Sequence, residues 1–155
     1  MATEIERKFL LATEAWRDEV ERAERMVQGY LNDQGPVSVR ARIAGSRAWL
    51  NIKSRTLGVS RDEFEYEIPL ADAERMLDCL TTGPVIDKTR HLVRHGDHLW
   101  EIDEFHGEND GLIVAEVELD HVDETVERPA WLGEEVSDQA RYYNVSLVKK
   151  PYSQW

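Results

Sequence analysis

The chain has 155 residues, 41% of them apolar and 32% charged, and carries a formal net charge of −12 from 19 bases and 31 acids. That is too much hydrophobe for a disordered chain and enough for one domain, read here as a single unit over residues 1–155. An acidic surface of this size repels nucleic acid and anionic lipid, so neither is expected as a partner. No apolar run reaches the roughly 18 residues that span a bilayer, and the opening Met-Ala-Thr-Glu-Ile-Glu is unlike a signal peptide. The single cysteine, Cys79, allows no internal disulfide, which suits a reducing compartment; the expected location is cytoplasmic.

In chain order, a period-two strand over 4–10 comes first. A segment follows in which Thr13 can cap a helix whose face holds Trp16, Val20 and Ala23. Further alternating runs cover 27–31, 37–43, 48–53 and 63–68. A second helix is expected after Asp72, with Ala73, Met76, Leu77 and Leu80 as its apolar stripe and Gly83-Pro84 ending it. Strands over 86–94, 99–105 and 112–119 come next, then a weaker helical stretch at 138–148. Turn residues such as Ala44-Gly45-Ser46 and His95-Gly96-Asp97 join neighbouring runs and favour an antiparallel meander.

Side chains two apart share a strand face. Glu4, Glu6 and Lys8 therefore lie together, opposite Ile5 and Phe9. The same parity gathers Arg40 with Arg42, Glu65 with Glu67, Lys88 with Arg90, Glu101 with Asp103, and Glu116 with Glu118, and it places Lys53 at the end of its strand. These are eight carboxylates and six bases, sorted by sign from strand to strand. Solvation alone predicts no such sorting. A dry core of ion pairs is excluded by cost, since each desolvated ion loses several kcal/mol and a domain's whole margin is roughly 5–15 kcal/mol. A wet interior remains: a closed eight-stranded antiparallel β-barrel, mainly β (α+β), with helices packed outside its apolar face. Arginine forks and lysines in one cavity suit a phosphate chain, and carboxylates without cysteine suit Mg²⁺ or Mn²⁺.

The run Glu4-Ile5-Glu6-Arg7-Lys8, followed in order by Arg-x-Arg, a strand ending in lysine, Glu-x-Glu, Lys-x-Arg, Glu-x-Asp and a late Glu-x-Glu, resembles the CYTH superfamily, the triphosphate tunnel metalloenzymes. Segments such as Glu65-Tyr66-Glu67-Ile68-Pro69 and Ala115-Glu116-Val117-Glu118 look most like its small bacterial inorganic triphosphatases. The resemblance implies hydrolysis of inorganic triphosphate to diphosphate and phosphate. A class IV adenylate cyclase, an organic triphosphatase (thiamine triphosphate or a nucleotide) and a non-catalytic polyphosphate-binding module stand as the other readings. It implies that Lys8, Arg40, Arg42, Lys53 and Arg90 grip the substrate. Glu4, Glu6, Glu116 and Glu118 hold Mg²⁺ or Mn²⁺, with Asp103 and Glu65 or Glu67 assisting. Tyr30 and Lys88 are the candidate catalytic groups, Tyr30 as a proton acceptor or orienting hydroxyl and Lys88 as a neutraliser of neighbouring carboxylates or a proton donor to the leaving group. The segment Arg141-Tyr142-Tyr143-Asn144 is a candidate to cap or flank one tunnel mouth. The partner expected is a small anionic triphosphate, and a homodimer is left open. His91, His95 and His98 read as surface residues on strand and turn, and Cys79 has no histidine nearby to make it a nucleophile.

Overall fold

The computed structural model describes residues 3–155. Among these, strands β1 (Thr3–Leu11), β2 (Val20–Asn32), β3 (Val37–Ala44), β4 (Arg47–Ser54), β5 (Ser60–Ile68), β6 (Ile86–His95), β7 (His98–Phe105) and β8 (Ile113–Glu118) form one antiparallel ring. Its order is β5-β4-β3-β2-β6-β7-β8-β1, and Thr3–Ile5 of β1 pairs with Ser60–Asp62 of β5 to close it. The barrel is therefore eight-stranded and closed, as the alternation predicts. Two hairpins turn on two residues led by Gly45 at φ +61° and Gly96 at φ +60°, the left-handed position that such turns reserve for glycine.

A ninth strand, β9 (Leu132–Glu135), pairs with the second half of β1, through Phe9↔Glu135 and Leu11↔Leu132. It covers the part of β1 that β5 leaves unpaired. Arg7 ties the two together through both carboxylate oxygens of Glu135, at 2.9 and 2.7 Å. Four residues with glycine second give no alternation to read, so the sequence did not signal it.

The outward face of β1, β6, β7 and β8 forms an apolar core around Phe9, Val93, Trp100, Ile102 and Val117. Trp100 meets Phe9 and Trp131 edge to face at 5.5 and 5.7 Å. What covers this face is not a helix. The expected helix through Val20 and Ala23 is a 3-10 turn, Ala15–Glu19, that seats the buried Trp16 and then runs straight into β2. Val20 to Gln28 pair instead with β6, whose backbone hydrogen bonds override the helical preference of Glu-Arg-Ala-Glu-Arg.

Helix α1 (Leu70–Cys79) does form, one turn earlier than expected: Pro69 precedes it and Asp72 sits in its first turn rather than capping it. It packs over β2, β3 and β4. Gly29 permits the approach, since a Cβ there would stand 2.5 Å from Thr81 Cγ2 and 3.1 Å from Leu77 Cδ2. The stretch at 138–148 resolves into a 3-10 turn, Ala140–Tyr142, and a short helix α2 (Asn144–Lys149). Leu147 and Val148 pack with Ile86, Phe105, Leu112 and Val114 at one end of the barrel.

Candidate active site

The inward residues of the ring enclose a cavity with about 650 Å³ of empty space, part of it open to solvent. The end where β1, β2, β4 and β7 finish is closed by Tyr143, Asn144 and Val145 at the start of α2. Tyr143 lies between two bases, with Lys8 Nζ 5.2 Å and Arg61 Cζ 5.1 Å from its ring centre, and its hydroxyl donates to Ser137 O at 2.6 Å. The opposite end collects the carboxylates at the far termini of β5, β7 and β8.

Every expected base lines this cavity: Lys8, Arg40, Arg42, Lys53, Lys88 and Arg90, and Tyr30 lines it with them. Of the expected acids, Glu4, Glu6, Glu116 and Glu118 do so. Three do not. Glu67 is exposed at the flared rim and paired with Arg47 at 2.7 Å. Glu65, also exposed, only accepts from Asn51 Nδ2 at 3.2 Å. Strand tilt is the cause: β5 meets β1 through Glu4↔Arg61, so Arg61 and Glu63 reach the cavity and the Glu-x-Glu pair lies past it. Asp103 is buried behind the lining, and both its oxygens are taken. Arg90 Nε and Nη2 bind them at 2.8 and 2.9 Å, and Lys88 Nζ adds a bond of 2.7 Å. It pairs with two cations of the wall, Arg90 and Lys88. Ser38, Arg61 and Glu63 line the cavity without having been expected there, and Glu101 lines it with no role assigned beforehand. Tyr143 and Asn144 line it from the segment Arg141–Asn144 expected to flank one tunnel mouth. Inward parity finds Ser38 and Glu63 within the expected runs 37–43 and 63–68, and finds Arg61 once the second run is extended two residues toward its start.

The corrected balance is seven bases lining the cavity against six carboxylates, or seven with Asp103. The pairing is uneven. Lys8 Nζ holds Glu116 at 3.1 Å, and Lys53 Nζ holds Glu4 at 3.0 Å and Glu63 at 3.5 Å. Arg90 Nη1 adds Glu101 at 3.0 Å. On β3 the bases are unmatched: Arg42 Nε donates to the neutral Gln28 Oε1 at 2.8 Å, and the buried Nε of Arg40 has no acceptor. The Nε of Arg61 lies 3.7 Å from Glu4 Oε1, an ion pair too long for a hydrogen bond. Across the ring, four strands away in either direction, β8 carries Glu118 beside its cross-strand neighbour Glu6 on β1. Among the described residues no base stands within ion-pair distance of these two carboxylates.

Titration follows this geometry. Burial, then Glu116 and Glu4, push Glu6 up to about 8. Burial and then Glu101 raise Glu118 as well. Burial, then Arg40 and Arg90, lower Arg42 to about 9. Burial also takes Lys88 down to about 7 against the pull of Asp103. Asp103 itself resists burial, because Arg90 and Lys88 hold it at about 2. Glu116 likewise stays well below the usual range, its burial outweighed by Lys8 and Arg90.

Like charges side by side on neighbouring strands repel, so Glu6 and Glu118 gain from a cation between them. An all-oxygen donor set fits a hard divalent ion. No three acidic, histidine or cysteine side chains among the described residues already stand together as a metal cluster, because Lys8 and Lys53 draw Glu116 and Glu4 to themselves. The pair Glu6 and Glu118 is the unsatisfied part of the set.

Residues 2–152 of this closed barrel match the CYTH domain. The chain belongs to the CYTH family. It is 40% identical over 152 residues to an inorganic triphosphatase of Acetivibrio thermocellus, covering 98% of this chain and 97% of that protein. It is 38% identical over 150 residues to an inorganic triphosphatase of Nitrosomonas europaea, covering 94% and 97%. A crystal structure of an inorganic triphosphatase, 34% identical, superposes with a TM-score of 0.68 over 96% of this chain and 95% of its own. A Pyrococcus horikoshii protein only 16% identical shares the fold, with a TM-score of 0.60 over 77% and 80%. No helix among the described residues is long and apolar enough to cross a membrane.

Proposed function

We propose that this protein hydrolyses inorganic triphosphate to diphosphate and phosphate inside the barrel, with Mg²⁺ or Mn²⁺, in the cytoplasm. The observation that carries the reading is the uneven pairing of the lining. Arg40 and Arg42 present guanidinium groups with no carboxylate partner, and Glu6 with Glu118 presents acid with no base. Groups left without partners of opposite charge gain from a ligand that brings several anionic oxygens together with a cation. A metal-bound triphosphate has both. The inorganic triphosphatases at 38–40% identity support the same substrate.

In this reading Lys8, Arg40, Arg42, Lys53, Arg61 and Arg90 bind phosphate oxygens, and Glu4, Glu6, Glu116 and Glu118 hold the cation. When bound, the cation supplies neutralisation of phosphoryl charge and acidification of water. The protein's own part is positioning and electrostatic stabilisation of the phosphoryl group. Water adds to the terminal phosphorus as its bridging P–O bond breaks, and diphosphate departs with that oxygen. Lys88 Nζ, near neutrality in its titration and fixed on Asp103, is the group suited to give the leaving oxygen a proton. Tyr30 lines the same volume and orients oxygen through its hydroxyl.

The test is phosphate release from tripolyphosphate, ATP and thiamine triphosphate at matched concentrations, with Mg²⁺, with Mn²⁺ and with neither, while cyclic AMP is followed by chromatography. Metal-dependent release with tripolyphosphate preferred is the expected result. Efficient cyclic AMP formation, or a higher kcat/KM for ATP, overturns it.

A further inference from the structure

At the closed end of the tunnel a hydrogen-bonded chain passes through a residue that does not belong to the barrel. Arginine has donors only, so Gln28 must turn its Oε1 toward Arg42 Nε, at 2.8 Å. Gln28 Nε2 then points at Asn144, whose Oδ1 accepts it at 3.0 Å. The same Oδ1 accepts Lys88 Nζ at 3.1 Å, and Lys88 gives its second bond to Asp103. Chemistry therefore fixes the amide of Asn144: two donors converge on one point, and only its carbonyl oxygen serves both. Gln28 and Lys88 are fully buried, so water does not compete for these donors.

Asn144 opens α2, which is anchored by Leu147 and Val148 on the core at that end. We propose that Asn144 is a positioning residue, whose single carbonyl oxygen sets the direction of Lys88 Nζ and, through Gln28, of the Arg42 guanidinium. With one bond to Asp103 and one to Asn144, the ammonium keeps its remaining N–H for the cavity. The C-terminal segment thus completes the tunnel chemically as well as closing it. The role in turnover rests on the hydrolytic reading above; the orientation of Lys88 does not.

The experiment compares Asn144→Ala with Leu147→Ala, which loosens the same helix without touching the chain of bonds. Asn144→Ala is expected to lower kcat by about 10- to 100-fold, the scale for losing a partner that orients a reactive group, with a smaller rise in KM. Leu147→Ala is expected to lower Tm and keep kcat at 25 °C. In a Lys88→Ala background, adding Asn144→Ala should cost little more in kcat, because its effect on kcat acts through Lys88, and a further rise in KM is confined to the Arg42 branch. Losses that simply multiply, or an equal fall in kcat from Leu147→Ala, overturn the proposal. Lysine ¹⁵N NMR of the ligand-free protein gives an arm that needs no catalysis. The Lys88 Nζ resonance should move in Asn144→Ala and hold in Leu147→Ala, and an unmoved resonance refutes the positioning role. Absence of phosphate release by the unaltered protein refutes the hydrolase reading instead, and the NMR arm still decides this one.

Discussion

On β6 and β7, Lys88 and Arg90 converge on Asp103, and Arg90 also reaches Glu101, so each buried cation there has a carboxylate partner. On β3, Arg40 and Arg42 are buried to a similar degree and have a bare Nε and a neutral glutamine in place of carboxylates. The same residue types on neighbouring parts of one tunnel are thus in opposite states. The difference separates two uses of buried charge. A charge paired inside the protein is already compensated, so it supports the wall and orients its neighbours. A charge kept without a partner costs stability and is available to a ligand.

The largest effect expected comes from the matching excess on the other side of the ring. Because no base pairs with Glu6 and Glu118 and a cation is what favours both as carboxylates, excess EDTA should take phosphate release to background, and added Mg²⁺ or Mn²⁺ should restore it. Full turnover in chelator breaks the division into paired and unpaired charge.

Next in size is the paired wall itself. Asp103→Asn leaves Lys88 and Arg90 buried without their shared counter-charge, and should cost about 3–5 kcal/mol, read as a fall in Tm. The folded protein holds Asp103 at about 2, below its ordinary 3.8, so its contribution is complete above about pH 4 and is lost as pH falls toward 2. Acid denaturation of the variant should lose that part of its pH dependence. A variant as stable as the parent at pH 7 contradicts the bracing role.

The unpaired wall should answer with the other sign. Arg42→Met removes a charge that burial and the neighbouring Arg40 already disfavour, so Tm should stay level or rise. Binding should suffer, because charge-assisted bonds to phosphate are worth about 1.5–3 kcal/mol each, and KM for tripolyphosphate should rise about 10- to 100-fold. Loss of Tm without loss of affinity would reverse the assignment of the two walls.

A smaller effect sharpens the place of the metal. Glu6 is raised to about 8, so in the ligand-free protein it keeps a proton between about 4.5 and 8 that the unfolded chain releases. Its contribution to stability is full below about 4.5 and is lost as pH rises through about 8. A cation favours the carboxylate, so Mg²⁺ binding at pH 7 should release close to one proton per site, measured by calorimetry in buffers of different ionisation enthalpy. Glu6→Gln should abolish the release. The smallest effect belongs to Glu67→Gln at the rim, where activity should stay within about twofold.

Much of this was legible in the sequence, for a local reason: parity along a strand is set by the pleat, so Glu4, Glu6 and Lys8, Arg40 and Arg42, and Lys88 and Arg90 declare a shared face without any neighbour. Eight alternating runs, seven of them carrying such residues, pointed to a barrel with a wet interior. Tertiary structure decided what parity leaves free. Barrel tilt selected Arg61 and Glu63 over Glu65 and Glu67, because the level at which a strand crosses the cavity depends on its register with β1. Pairing with β6 turned a helix-prone Glu-Arg-Ala-Glu-Arg into strand, because ladder hydrogen bonds outweigh a preference of a few tenths of a kcal/mol per residue. And only the folded chain brings Asn144 to Lys88 and Gln28, residues 56 and 116 positions away, since contacts at that separation exist once the C-terminal helix has docked on the finished barrel.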